Sequence, residues 1–434
     1  MNLNLKYYLN ILFKSSLARS SSIYTIAGVI NSAIPVVLMP ILTTRLTPAE
    51  YGIVAMFNTL LSIYVIFVSM NLDSAIMRKF YEKDDGDVSA YIGTSTILVT
   101  LSFSMIFIGT VVFGQTLSTY SGVSLKWLMY IPIMAYFQFI IAIILVVYRF
   151  NIQAQYYGLF QVLRSVANVG ITLFLILYVQ KTYDGRLEAN IITAVLFGLI
   201  ALWLLIRKNM ISIKFRIEDF KHALSYGLPL IPHAIGGMLF STVDRYYLTN
   251  YFGLEQTGNF SVAYQIGAIL SVFTMAFNNA YAPWLFEKLN LDDFAVKLKI
   301  VKFTYAYFIV LTIGAGLLLK IFPLFIAIFV GPQFTGINVF SSFIVYGFIF
   351  QGMYFMVTNY IHYSKKTYLQ AILTISVGLL KIPITYYSIV LWGAAGISIS
   401  WCICFFLLFA STWILSAKVY KMPWLLRPQK LGVL

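Results

Sequence analysis

Charged and polar side chains set inside long apolar runs are the residues of this sequence with the most chemistry to offer. Arg164 and Lys381 each lie within such a run, where an isolated cation facing lipid costs roughly 2.5–3.5 kcal/mol on insertion scales. Each therefore either faces a hydrated interior or snorkels to a membrane surface. Arginine stays charged and presents a fork that fits two oxygens of a phosphate or carboxylate. Arg164, expected about 10 Å from the inner end of its helix, is the first candidate for an anion-binding residue. Asn168, one helical turn on, shares its face. Lys381, directly before Ile382-Pro383, and Arg245, Arg149 and Arg78 complete the candidate cations. Arg149 and Arg78, at inner helix ends, serve equally well as topology markers. Asn31, Asn58, Tyr264 and Gln265 are candidates for hydrogen bonding and stacking, against the commoner use of such residues in helix–helix contacts.

Other chemistries are poorly provided for. His222, His233 and His362 are dispersed, and Cys402 and Cys404 share one apolar run, so neither a metal cage nor a disulfide framework is expected. No acid, base and nucleophile stand at useful spacing, and no catalytic role is assigned. The acidic residues are read at span ends or in loops, Asp73 at the inner end of one span and Asp244 at the outer end of another. If an H+ or Na+ gradient drives the protein, those carboxylates or carbonyls freed at helix kinks must bind the ion. No other cofactor is expected.

Composition dictates the elements that must position these groups. Of 434 residues, 60% are hydrophobic and only 10% charged, against roughly 45–50% and about 25% in soluble domains. So few charges cannot coat a water-soluble body, and the expected class is an all-α, polytopic membrane protein. Apolar runs of about twenty residues number twelve, from 21–41 and 51–72 through 189–206, 222–243 and 258–285 to 393–416. With both termini cytoplasmic, twenty-two of the thirty Lys and Arg fall on the inner side and six on the outer, as the positive-inside rule requires. The net charge of +15 is thus topological, and no nucleic-acid partner is expected. Residues 1–20, with the stripe Asn2, Lys6, Asn10 and Lys14, form an amphipathic interfacial segment or a frayed tail. The N-lobe of six spans covers 21–206, a cytoplasmic linker 207–221, the C-lobe of six spans 222–416 and a basic cytoplasmic tail 417–434.

The two halves echo each other. The turns ending at Gly52 and Gly258 each open a long apolar helix, at a constant offset of 206 residues. Six spans per half give both copies one orientation, the parallel repeat of transporters whose substrate path lies between the halves. Pro35 in span one, and Pro229 and Pro232 opening span seven, are candidate hinges because proline removes a backbone donor and bends a helix.

Several motifs then occur in a specific order: Pro48-Ala49-Glu50-Tyr51-Gly52-Ile53, Asn71-Leu72-Asp73-Ser74-Ala75-Ile76, Leu224 to Pro232, Gly258 to Tyr264, Ala282-Pro283 and Gly331-Pro332-Gln333-Phe334. Together they resemble the Wzx-type polysaccharide repeat-unit flippases of the multidrug/oligosaccharidyl-lipid/polysaccharide (MOP) exporter superfamily. The resemblance implies translocation of an undecaprenyl-diphosphate-linked oligosaccharide, of O-antigen type, across a bacterial inner membrane by alternating access. It also implies the company of other polysaccharide assembly proteins. On that reading the interior cations meet the diphosphate and the amides and aromatic rings meet the sugars. A multidrug exporter on the same scaffold is the rival reading, but it would be expected to carry an embedded carboxylate for cationic drugs. A membrane polymerase or acyltransferase is less favoured, because no large loop or His/Asp set is present to carry its chemistry.

Overall fold

A chain surrounded by lipid must satisfy its backbone hydrogen bonds within each segment, so apolar runs of this length become helices. The computed structural model describes residues 16–82, 87–212 and 214–426, and the regular elements among them are all helical. In chain order, α1 (Ser16–Arg45), α2 (Pro48–Ser69), the short α3 (Leu72–Tyr81), α4 (Val88–Ser121), α5 (Leu125–Leu128), α6 (Tyr130–Phe150), α7 (Ala154–Leu173) and α8 (Tyr183–Arg207) come first. A second short helix, α9 (Ile217–Gly227), leads into α10 (Ile231–Leu289), α11 (Phe294–Phe329), α12 (Asn338–Tyr363), α13 (Thr367–Trp392) and α14 (Ala395–Val419). Among the described residues, ten helical stretches are long and apolar enough to cross a membrane, and α1 adds the apolar segment Ile34–Arg45. The expected interfacial segment at 1–20 lies largely outside the described residues, as does the end of the basic tail.

Several boundaries differ from those expected. The polar stretch after residue 243 is not a loop: α10 continues through it, and only Gly253 leaves helical geometry, at φ 83° and ψ 173°. That conformation is essentially closed to residues with a Cβ, so glycine is what permits the break. Asp244 and Arg245 consequently lie inside a helix and not at its end. Pro229 sits in a 3-10 turn, Leu228–Leu230, and Pro232 is the second residue of α10. The backbone stays helical from α9 through this turn into α10, so both prolines remove donors within a continuous helical run, at the junction of its two parts. Pro35, by contrast, lies within α1. Pro323 lies within α11, which runs on to Phe329.

The chain divides into two compact units. One comprises the residues up to Leu46 together with Ile53–Ile235; the other comprises Thr47–Gly52 and Gly236–Leu434. The division thus falls within α10, beyond the 207–221 segment. In the second unit the repeat becomes visible as a contact. A Cβ on Gly52 would overlap the carbonyl oxygen of Leu254, and one on Gly258 would overlap that of Pro48. The two pairs are related by the same offset of 206, so the starts of two equivalent helices cross backbone to backbone, each against its counterpart's first turn.

At one end of the first unit, α3 and α9 dock through polar contacts. Arg78 Nε donates to Glu82 Oε1 at 3.0 Å, and the Arg78 guanidinium lies over Tyr226. His222 bridges Glu82 at 3.4 Å and the Tyr91 hydroxyl at 2.9 Å. Asp87 caps α4, accepting from the amides of Ser89 and Ala90.

Because the Gly52–Gly258 crossing abuts main chain and not flexible side chains, a methyl there forces backbone movement, at about 1–3 kcal/mol. Gly258→Ala is expected to lower the unfolding temperature of the detergent-solubilised protein, and Gly52→Ala to do the same. Gly109→Ala, where nothing lies within 4 Å, is expected to leave it unchanged or raise it slightly. Thermal unfolding of the three variants checks this, and equal effects at all three sites would refute the crossing.

Candidate functional site

The first unit contains a cavity of about 300 Å3 walled by α1, α2, α6, α7 and α8. Asn31 and Pro35 of α1, Asn58 of α2 and Gln138 of α6 line it, with Arg164, Ser165 and Asn168 of α7 and Arg186, Asn190 and Thr193 of α8. The polar lining therefore holds two guanidiniums, five carboxamides and two hydroxyls, and no carboxylate.

Local sequence explains how this wall forms. Arg164, Asn168 and Thr172 recur every four residues on α7, and Arg186, Asn190, Thr193 and Ala194 follow helical spacing on α8, so each set makes one stripe. The stripes meet. Arg186 Nη1 donates to Asn168 Oδ1 and to Thr172 Oγ1, both at 2.7 Å. Asn168 Nδ2 donates to Asn190 Oδ1 at 3.1 Å and Thr193 Oγ1 at 3.4 Å. Ser165 Oγ donates to Asn31 Oδ1 at 3.0 Å, tying α7 to α1.

The two arginines are held differently. Arg186 is oriented by its amide and hydroxyl acceptors. Arg164 has neither an ion pair nor a hydrogen bond among the described residues. Helix α7 begins at Ala154, earlier than expected, so Arg164 stands about 15 Å along its axis. An unpaired guanidinium beside fixed amide groups is suited to receive an oxyanion, with neighbouring donors and acceptors left for hydroxyls.

Lys381 and Asp244 do something else. In the second unit the Lys381 ammonium lies 2.8 Å from Asp244 Oδ1, and both side chains are essentially inaccessible, at 0% and 1% exposure. Lys381 also lies over the Trp401 ring at 5.5 Å. Its charge is thus balanced within the unit, and it neither snorkels nor stands free. The expectation that every acidic residue lies at a span end or in a loop fails at Asp244, because α10 stays helical well past it. Arg245, the next residue, points away: it lies over Tyr264 at 5.1 Å and donates to the Ser241 carbonyl at 3.0 Å. Tyr264 packs edge-on against Trp401 at 5.1 Å, so one aromatic cluster serves both cations. Gln265 accepts from the Tyr51 hydroxyl at 2.9 Å.

The remaining candidates lie near helix ends of the first unit. Arg149 donates to the Tyr157 hydroxyl at 3.3 Å and lies over its ring, while Arg78 is held by Glu82 and Tyr226. Asp73 stands in the first turn of α3; burial pushes its carboxyl up, opposed by the amides of Asp73 and Ser74 and by the Arg149 charge. Of the candidates, the structure brings Arg164, Asn168, Asn31, Asn58 and Pro35 to one cavity. Lys381, Asp244, Arg245, Tyr264 and Gln265 belong to the second unit. Arg186, Asn190 and Thr193 had been missed: the apolar run began at 189 and left Arg186 outside, although its four-residue spacing to Asn190 was a readable signal.

Removing one partner of a buried ion pair leaves the other charge stranded, at about 3–5 kcal/mol. Lys381→Met and Asp244→Leu are each expected to lower abundance and thermal stability sharply, with the double variant recovering most of the loss. A double-mutant cycle in detergent measures the coupling, and additive losses would argue against a working pair.

Several known proteins resemble this chain over most of its length. The family model described as polysaccharide biosynthesis protein matches residues 17–289. An uncharacterized membrane protein of Haemophilus influenzae is 27% identical over 364 residues, covering 81% of this chain and 85% of its own. The "Probable low-salt glycan biosynthesis flippase Agl15" of Haloferax volcanii is 22% identical over 278 residues, 63% of this chain and 56% of its own. Among solved structures, the lipid II flippase MurJ in an inward closed conformation aligns with a TM-score of 0.71 at 15% identity, covering 91% of this chain and 87% of MurJ. An inward-facing multidrug resistance MATE transporter of the MOP superfamily aligns at 0.66 and 17% identity, covering 90% and 94%. The structural likenesses establish the fold, and the family model spans more than half of the chain: this protein belongs to the polysaccharide biosynthesis protein family.

Proposed function

We infer that the protein is a flippase for a lipid-linked oligosaccharide, a transporter and not an enzyme. It moves the polar head of its cargo across a membrane by alternating access, with twelve crossings and both termini on the cytoplasmic side. The finer reading is an undecaprenyl-diphosphate carrier bearing O-antigen-type repeat units, in a bacterial inner membrane alongside other polysaccharide assembly proteins. Family membership and the flippase named among its relatives support the class. The observation that carries the reading is the first unit's cavity, where Arg164, unpartnered among the described residues, and an oriented Arg186 stand among amides with no carboxylate in the described lining.

Each part of the cargo has a matching need. A diphosphate is insoluble in hydrocarbon unless cations or oriented donors replace its water, and Arg164 offers an uncommitted fork. Sugar hydroxyls need paired donors and acceptors, which Asn31, Asn58, Gln138 and Asn190 supply. A cationic drug would find two positive charges and no counter-charge in this cavity, which disfavours the multidrug reading. Coupling to H+ or Na+ at Asp244 would require displacing the Lys381 ammonium, so any ion bound there competes with a tethered cation.

In cells that depend on this copy, Arg164→Ala is expected to abolish surface glycan while membrane abundance stays normal. Loss of one charge-assisted contact, roughly 1.5–3 kcal/mol, corresponds to a fall of about ten- to a hundredfold in cargo affinity. Arg164→Lys should restore export partly if the bidentate fork matters, and fully if charge suffices. Quantified surface glycan at matched protein levels reads this, and full export by Arg164→Ala removes the cavity from the mechanism.

A further inference from the structure

A second recess in the first unit has a different character. It lies between α4 and α8, has a volume of about 540 Å3, and is lined by Thr96, Ile97, Thr100 and Leu101 of α4 with Leu202 and Ile206 of α8. The α4 residues follow i, i+3, i+4 spacing and make one stripe. The Thr96 and Thr100 hydroxyls are turned back onto the carbonyls of Ile92 and Thr96, so the wall presents mainly methyl and methylene groups. Gly93, at the lower end, also lines it. From Gly93 to Leu101 the recess rises about 12 Å, close to half of a hydrocarbon core about 30 Å thick.

The lower end is basic. The segment after α8 is clamped onto the start of α4: Ser212 N donates to the Ser89 carbonyl at 3.0 Å, and Thr94 Oγ1 donates to the Lys214 carbonyl at 3.0 Å. A Cβ on Gly93 would overlap the Ser212 carbonyl, so this residue lets the segment lie flat. Ile211 closes this end of the recess, and Arg207, Lys208, Lys214 and Arg216 flank the docked segment in sequence, on the side the Lys/Arg distribution assigns to the cytoplasm. Lys208 is drawn to Tyr148 and Tyr156. Arg216 stands 3.8 Å from Asp87, and Glu218 and Asp219 lie farther along α9. Lys214, which is exposed, and Arg207, stacked on Trp203, are left without a carboxylate among the described residues.

We propose that this recess is a binding site for an anionic phospholipid of the inner leaflet, one acyl chain lying between α4 and α8 and the phosphate meeting Lys214 and Arg207. Basic pockets between helices at the cytoplasmic surface bind such headgroups, each Lys or Arg contributing about 1 kcal/mol. The position of the recess on α8 favours a resident lipid over the cargo's own tail. At 100° per residue, Leu202 and Ile206 lie on the order of 150° around α8 from Arg186, Asn190 and Thr193. A lipid whose head occupied the Arg164 cavity would have to wrap around α8 to place its chain here. The site is independent of the flippase reading.

Native mass spectrometry of the delipidated full-length protein tests it, with phosphatidylglycerol, phosphatidylcholine of the same chains and a polyprenyl phosphate as probes. Phosphatidylglycerol is expected to be retained at least roughly tenfold better than phosphatidylcholine, the effect of two rim charges. Combining Lys214→Glu with Arg207→Glu should erase that preference, and Thr100→Trp, at an exposed position, should lower retention of both lipids by filling the recess. Arg164→Ala should leave retention unchanged, which separates this site from the cargo cavity. Equal retention of the two phospholipids by the unaltered protein, undiminished binding by Thr100→Trp, or displacement of phosphatidylglycerol by the polyprenyl phosphate would each overturn the proposal. Unfolding temperatures of the lipid-free variants serve as the folding control.

Discussion

A formal charge surrounded by hydrocarbon must be paired, stacked or wetted, and the interior of this protein is arranged around that requirement. Lys381 meets it with the carboxylate of Asp244. Arg245 meets it with the face of Tyr264 and a helix carbonyl. Arg186 uses the side-chain oxygens of Asn168 and Thr172. Arg164 uses none of these among the described residues, and what remains for it there is water or an anionic guest. The same chemistry thus separates the cations that hold the structure together from the one left available.

The backbone shows a comparable economy at its two breaks. Thr47 separates α1 from α2, and Gly253, at the equivalent position in the repeat, divides α10 into two arms. The first break is stabilised by a capping box in which the Thr47 amide donates to Glu50 and the Glu50 amide donates to Thr47 Oγ1. The second has no such box and relies on a left-handed glycine, with Thr257 donating its hydroxyl to the Gly253 carbonyl at 3.1 Å. Two dissimilar sequences therefore each open a helix at the crossing that brings Gly52 against Leu254 and Gly258 against Pro48.

Features that depend on local periodicity could be read from the sequence, and those that depend on distant partners could not. Apolar runs specify helices, and the offset between Gly52 and Gly258 survives as a contact. Arg164 and Asn168 share a face because one turn of helix requires it. The partner of Lys381 was invisible because Asp244 lies on another helix far away in the chain. Its position was misread for a physical reason: the polar stretch from Asp244 to Thr257 lowers hydropathy, but hydropathy reports exposure to lipid and says nothing about whether the backbone stays helical. Arg186 was lost the same way, since a polar first turn looks like a loop when only apolar residues are counted. The short helices α3 and α9 escaped notice because neither is long or apolar enough to register as a span.

The segregation of charge between the units bears on how transport could be driven. A ligand shifts a conformational equilibrium only by binding one state better than another, so an interior cation contributes only if its environment changes when cargo arrives. Arg186 is poised for this, since its fork already links α7 to α8 and any anion reaching Arg164 adds negative charge beside the same network. Lys381 and Arg245 cannot respond in that way while their charges are already compensated. A free Asp244 would attract cations and offset the positive interior; locked to Lys381, it does not. The buried pair therefore keeps Asp244 from offering a free negative charge, and on the proposed reading the anion is met by Arg164 and Arg186 of the first unit.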